Sequence, residues 1–158
     1  MALKIAILMD PIEQITIKKD SSFAMLLEAQ ARGHELFYLE QSDLFLTQNQ
    51  VKVHAKSLTV FNNSQKWFEY GESKTLNGNE FDVLLMRKDP PFDMEFVYTT
   101  YLLQLMQEQG VLVVNNPQSI RDCNEKLFTA WFPQCCPDTL VSRTPQDFRD
   151  FYAEQKDI

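Results

Sequence analysis

Three polar segments of this chain carry side chains suited to an anionic substrate. The first is Asp10-Pro11, leading through Lys18-Lys19-Asp20-Ser21-Ser22 into a helix start. The second is Arg87-Lys88-Asp89-Pro90-Pro91, and the third runs from Asn115-Asn116-Pro117 to Arg121-Asp122-Cys123-Asn124-Glu125-Lys126. Arg87 ends an apolar run, where a charge is costly unless it is paired. It can pair with Asp89 or Asp10, or hold a substrate carboxylate in its planar fork. The double proline stiffens this loop. Asp20 and Ser21 have a plainer reading as helix caps, and Lys18-Lys19 as a solvated loop. Lys126, near a helix start, is the residue type that meets phosphate as a point charge, although its spacing alone does not establish that role.

Other chemistries find little support. Cys123, Cys135 and Cys136 form an odd set with an adjacent pair and no C-x-x-C, which predicts free thiols in a reducing, cytoplasmic setting. His34 and His54 have no nearby nucleophile or ligand partner in sequence and read as structural. With four glycines and neither G-x-x-x-x-G-K-[ST] nor G-x-G-x-x-G, the chain has no self-contained phosphate loop. A net charge of −7 argues against a nucleic-acid partner, but one helix N-terminus and one lysine can still bind phosphate. No run approaches the ~20 apolar residues of a membrane span. The short apolar start, Met1 to Met9, ends at once in Asp10-Pro11, so no signal peptide is expected.

The elements that must hold these residues follow from periodicity. Leu3 to Met9 is a continuous apolar run, as in a strand buried on both faces. Phe23, Leu26, Leu27 and Ala31 recur at helical spacing, with Ser21 or Ser22 as cap and Gly33 at the C′ position. His34 to Glu40 is a second strand, completing a β-α-β unit with parallel strands. Val51, Val53 and Ala55 alternate with Lys52, His54 and Lys56, predicting an antiparallel excursion from about 44 through Tyr70, followed by a polar loop from Lys74 to Asn79. Phe81 to Arg87 returns to a buried strand. Asp93 caps a long helix with Val97, Tyr98, Tyr101, Leu102, Leu105 and Met106 on one side and Gly110 after its end. Val111 to Val114 is another strand. Beyond it come a helix pattern from Asn124 to Phe132, a short strand over Thr139–Ser142, and a helix from Thr144 to Gln155 with Pro145 at its first position. A further strand is expected to begin at Asp157-Ile158, as though the chain were cut there. The fold class is α/β: a parallel sheet with helices on both faces plus an antiparallel excursion.

Four strings carry a resemblance: Met9-Asp10-Pro11; Lys18 through Gln30 (KKDSSFAMLLEAQ); Met86-Arg87-Lys88-Asp89-Pro90-Pro91-Phe92-Asp93; and Arg121 through Ala130 (RDCNEKLFTA). In their order and length they resemble bacterial glutathione synthetase, an ATP-grasp ligase family. The resemblance implies a Rossmann-like, pre-ATP-grasp domain over residues 1–122 and the opening of the ATP-grasp region over 123–158. It also implies joining of γ-glutamylcysteine to glycine with ATP and Mg2+ through an acyl phosphate, in a homo-oligomer. Lys126 matches an ATP-phosphate contact, Arg87 a peptide-substrate residue, and Asp20 and Ser21 lie beside it. The family's second phosphate lysine, glycine-rich lid and acidic magnesium ligands have no counterpart in this sequence, so no catalytic or metal residue is assigned and the chain alone is expected to be inactive. The alternatives are another ATP-grasp carboxylate–amine ligase, or a non-catalytic oligomerisation module of one.

Overall fold

A computed structural model describes residues 1–124 and 126–156. The chain divides into two units, Met1–Arg121 and Asp122–Ile158.

The first unit is built on one mixed sheet. Its strands are β1 (Lys4–Leu8), β2 (Glu35–Leu39), β3 (Leu44–Thr47), β4 (Gln50–Val60), β5 (Phe68–Asn77), β6 (Val83–Met86) and β7 (Leu112–Val114). Their order is β3-β4-β2-β1-β6-β7, with β5 paired to β4. β2, β1, β6 and β7 are mutually parallel, whereas β3 and β5 run antiparallel to β4, and β4 antiparallel to β2. Helix α1 (Ser21–Ala31) links β1 to β2, and α2 (Met94–Glu108) links β6 to β7. These two crossovers leave the centre of the sheet in opposite directions. Right-handed connections therefore put their helices on opposite faces.

The core reflects that arrangement. Ala6 and Leu8 of β1 pack with Phe96, Leu103 and Met106 of α2, whereas Ile5, Ile7 and Met9 pack with Phe23 and Leu26 of α1. The continuous apolar run of β1 thus faces a helix on each side, as its sequence predicts. Both helices end in the same device. Gly33 (φ 79°) and Gly110 (φ 101°) take the left-handed conformation. The following amides, His34 and Val111, return to the carbonyls of Ala29 and Met106 at 3.1 and 3.2 Å.

Several expectations are corrected. Of the candidate caps of α1, Asp20 serves and Ser21 and Ser22 do not, the Asp20 Oδ1 accepting from the Phe23 amide at 2.7 Å. The buried face of α2 is Phe96, Thr99, Thr100, Leu103 and Met106, while Tyr98 and Tyr101 are exposed. The helix is apolar nearly all round, so periodicity did not single out the face. The two threonines can face inward because their hydroxyls donate to the carbonyls of Glu95 and Val97. Lys74 to Asn77 is strand rather than loop. Its residues are exposed apart from Leu76, so no apolar pattern marks them, and they pair along β4 from Lys56↔Ser73 to Lys52↔Asn77. Arg121, at the end of α3 (Pro117–Asp122), sits 4.5 Å from the centre of the Tyr101 ring and donates to Thr100 and Gln104. That cation anchors α3 to α2.

In the second unit the pattern over Asn124–Phe132 is a 3-10 turn, Leu127–Trp131, not an α-helix, and Thr139–Ser142 is not a strand. An isolated strand has no neighbour there to satisfy its amides. Helix α4 (Pro145–Gln155) begins as expected after Thr144, but Ser142 rather than Thr144 serves its start, accepting from the Thr144 amide and bonding Asp147. Asp157-Ile158 and Glu125 lie outside the described residues. No described residue after 122 is buried, and Trp131, Val141 and Tyr152 are largely exposed. Segments with few buried contacts open locally at little free-energy cost. In native-state hydrogen exchange of this chain, amides of α4 should therefore exchange on the order of 100-fold or more faster than those of β1 and β6. Equal protection in both units would contradict this assignment.

Candidate functional site

In an open α/β sheet, ligands collect beyond the carboxyl ends of the strands where crossover direction reverses. Here that point lies between β1 and β6. The Arg87 amide donates to the Leu8 carbonyl at 2.7 Å, and the Met9 amide to the Leu39 carbonyl at 3.1 Å. Those bonds bring Asp10 and the Arg87-Lys88-Asp89 run together at one rim.

The charges at this rim sort themselves unequally. Asp10 Oδ1 pairs with Lys88 Nζ at 2.7 Å, and its Oδ2 accepts from the Asp89 amide at 2.9 Å. Lys88 Nζ also donates to the Asp89 carbonyl at 2.6 Å. The Lys88 side chain is only 18% exposed, so it needs those partners. Arg87 is paired with neither Asp10 nor Asp89. Its Nε donates to Ser22 Oγ at 2.9 Å and its Nη2 to Ser21 Oγ at 3.0 Å. Both acceptors are neutral hydroxyls at the start of α1, and Ser22 is 4% exposed.

These residues line a cleft of about 220 Å³, whose wall includes Lys19, Asp20, Ser21, Ser22, Arg87 and Asp89. Asp20, Ser21 and Arg87, picked out in sequence, are therefore together, and the Lys19 side chain joins them. A second cleft, about 430 Å³, lies on the α2 side against Glu40, Lys88, Glu95 and Tyr98. Asp10 contributes to both walls.

A set of aromatic contacts, not foreseen in sequence, secures the loop between β1 and α1. Trp67 Nε1 donates to the Ile12 carbonyl at 2.9 Å, and the Tyr70 hydroxyl to Glu13 at 3.0 Å. The Tyr38 hydroxyl donates to Glu40 at 2.9 Å, and Lys56 Nζ lies over both tyrosine rings. The only sequence signal was the clustering of Trp67, Phe68 and Tyr70 in the ribbon.

Lys126 belongs to the second unit. Its amide donates to Asn124 Oδ1 at 3.0 Å and its carbonyl accepts from Thr129 Oγ1 at 2.6 Å, at the entry to the 3-10 turn. Among the described residues, no three His, Cys, Asp or Glu side chains converge as a metal site would require.

Burial raises the pKa of Tyr38 far above its ordinary value, and the Glu40 carboxylate at its hydroxyl adds to this. Tyr70 is raised likewise, by burial first and then by Glu13. The folded state favours the neutral phenols, so their contribution to stability is whole below pH ~10 and is lost as pH rises beyond it. Of the five tyrosines, Tyr98, Tyr101 and Tyr152 are exposed. An alkaline titration followed by tyrosinate absorbance should show Tyr38 and Tyr70 ionising only well above the ordinary phenol range, as the fold is lost. Ordinary titration of both would refute the burial of Tyr38 and the half-buried placement of Tyr70.

Residues 3–121 match the family model described as "Prokaryotic glutathione synthetase, N-terminal domain". The chain is similar to the glutathione synthetase of Pseudomonas syringae pv. tomato, 56% identical over 158 residues, which is 100% of this chain and 50% of that protein. It is 53% identical over 156 residues to those of Photorhabdus laumondii and Escherichia coli (strain K12), covering 99% of this chain and 49% of each relative. The chain thus spans about half the length of the curated relatives it matches. With a family model covering most of its length and more than half of its residues identical to such relatives, the chain belongs to the prokaryotic glutathione synthetase family, and residues 3–121 are its N-terminal domain.

Proposed function

We propose that this chain supplies the peptide-substrate end of a glutathione synthetase that joins γ-glutamylcysteine to glycine at the expense of ATP. The observation that carries this reading is Arg87. Its guanidinium is fixed by two serine hydroxyls, faces a cleft, and has no carboxylate partner among the described residues. A guanidinium so placed keeps its charge and part of its fork for a substrate carboxylate. Asp20 sets the first turn of α1, and through it the two serines.

The chemistry requires activation of a carboxylate that is inert toward amines in water. The cysteinyl carboxylate attacks the γ-phosphorus of ATP, and ADP leaves. The glycine amine then attacks the acyl carbon, phosphate leaves, and the nitrogen loses its proton. Phosphoryl transfer depends on positioning and on cations around the phosphates. Lys126 is the residue of this chain we assign to that task, as the opening of the ATP-binding region over 123–158. Magnesium would offset the charge of the transferring phosphoryl group; among the described residues no three His, Cys, Asp or Glu side chains converge to hold it. We read the setting as cytosolic, consistent with three unpaired cysteines, and the assembly as homo-oligomeric. No helix among the described residues is long and apolar enough to cross a membrane.

Two substitutions in the full-length protein test this reading. Arg87→Lys replaces a planar fork by a point charge. It should raise KM for γ-glutamylcysteine roughly tenfold while leaving KM for ATP unchanged. A lowered melting temperature with both KM values shifted alike would instead make Arg87 structural. Lys126→Ala should weaken ATP binding by about 1.5–3 kcal/mol, tenfold or more, with the melting temperature unchanged. An unaltered ATP dependence would remove Lys126 from the site.

A further inference from the structure

Resting on that reading, a residue of the antiparallel ribbon that does not line the Arg87 cleft governs one of its walls. Arg87 and Asp89 continue β6, and the Arg87 amide is tied to the Leu8 carbonyl of β1. Asp10, Ile15, Lys19 and Asp20 belong instead to the loop between β1 and α1, which then delivers Ser21 and Ser22. Sheet pairing fixes the first wall. The second has no such support. Its main-chain bonds reach only three or four residues, from Gln14 to Pro11 and from Lys19 and Asp20 to Thr16. Turns of that kind shape a loop but do not place it on a sheet.

The ribbon supplies the placement. Ile12, Ile15 and Ile17 of the loop pack in the cluster that holds Trp67, Phe68 and Tyr70. Apolar contact is non-directional, so this seat alone tolerates sliding. The hydrogen bond from Trp67 Nε1 to the Ile12 carbonyl is directional and does not. Ile12 is wholly buried, and a buried carbonyl needs a partner inside the protein. The bond of Tyr70 to Glu13 is a weaker restraint, because Glu13 is exposed. Ile15, three residues past Ile12, itself lines the cleft, so a shift at Ile12 passes directly into the wall. Binding constellations need their groups held to within about 0.5 Å. We propose that Trp67 is a positioning residue of the peptide-substrate cleft: its indole N–H, through the Ile12 carbonyl, holds the β1–α1 loop in the register that presents Lys19, Asp20 and Ser21 to the substrate.

A second contact of the ribbon separates positioning from stability. Gln30, in the last turn of α1, donates to the Val60 carbonyl and accepts from the Val60 amide, both at 2.8 Å. It ties α1 to the end of β4, at the opposite end of the helix from Ser21. Its loss should cost stability without moving the loop.

The test uses the full-length protein. Trp67→Phe keeps an aromatic ring in the seat and removes the N–H. It should raise KM for γ-glutamylcysteine roughly two- to tenfold, the worth of one hydrogen bond, with kcat and KM for ATP unchanged. Gln30→Ala should lower the melting temperature at least as far and leave KM for γ-glutamylcysteine unaltered. Combining Trp67→Phe with Ser21→Ala should raise KM by less than the product of the single effects, because both act on one wall. An unchanged KM in Trp67→Phe, an equal rise in Gln30→Ala, or strictly multiplicative effects in the double variant would overturn the proposal and leave Trp67 a structural residue. Arg87→Lys keeps the two readings apart. If it raises KM for γ-glutamylcysteine while Trp67→Phe does not, the positioning role alone fails. If neither raises it, the peptide-substrate reading of the cleft fails as well.

Discussion

Two cations, Arg87 and Lys88, leave the carboxyl end of β6 side by side, and the carboxylate of Asp10 at the end of β1 goes to Lys88. The main chain accounts for that choice. The run-on of β6 past Met86 places the Asp89 amide against Asp10 Oδ2, and Lys88 then reaches both Asp10 and the Asp89 carbonyl. One half-buried lysine is satisfied by two acceptors. Its neighbour, directed the other way by strand alternation, meets only the hydroxyls of α1. The free charge of Arg87 is therefore a consequence of where Lys88 is bound.

The topology makes the same division on a larger scale. Because α1 and α2 depart from adjacent strands onto opposite faces, the rim between β1 and β6 opens toward both helices. Asp10 lies on that divide and lines a cleft on each side. The antiparallel strands, which add Val51, Val53 and Ala55 to one face of the core and Leu58 and Val60 to the other, also hold the loop after β1 in place through Trp67 and Tyr70. Loops rich in polar residues have few internal contacts of their own. Here the restraint comes from a strand pair more than fifty residues away in sequence.

What the sequence disclosed follows the same physics. β1 and β6 were legible because burial on two faces demands unbroken apolar runs. Both helix ends after α1 and α2 were legible because only glycine takes the required φ without strain. Arg87 stood out because a cation at the end of such a run is unusual. The face of α2 was not legible, since Thr99 and Thr100 bury their methyl groups while bonding their own backbone. The length of β5 was hidden too, because an exposed ribbon places no demand on its side chains. Trp67 and Tyr70 join the site neighbourhood only through tertiary contacts that no local pattern encodes.

The condition that makes the cleft affordable is its access to water. A buried guanidinium without a carboxylate would be severely destabilising. Arg87 avoids this by being exposed while its Nε and Nη2 rest on Ser22 and Ser21. Two neutral acceptors fix the plane of the fork without cancelling its charge. A carboxylate in their place would hold Arg87 more tightly, but an incoming anion would have to displace it first. The serines thus separate orientation from neutralisation. A rim that must admit an anion can keep a cation pre-set, and the fold draws its stability from the two apolar faces of β1 instead.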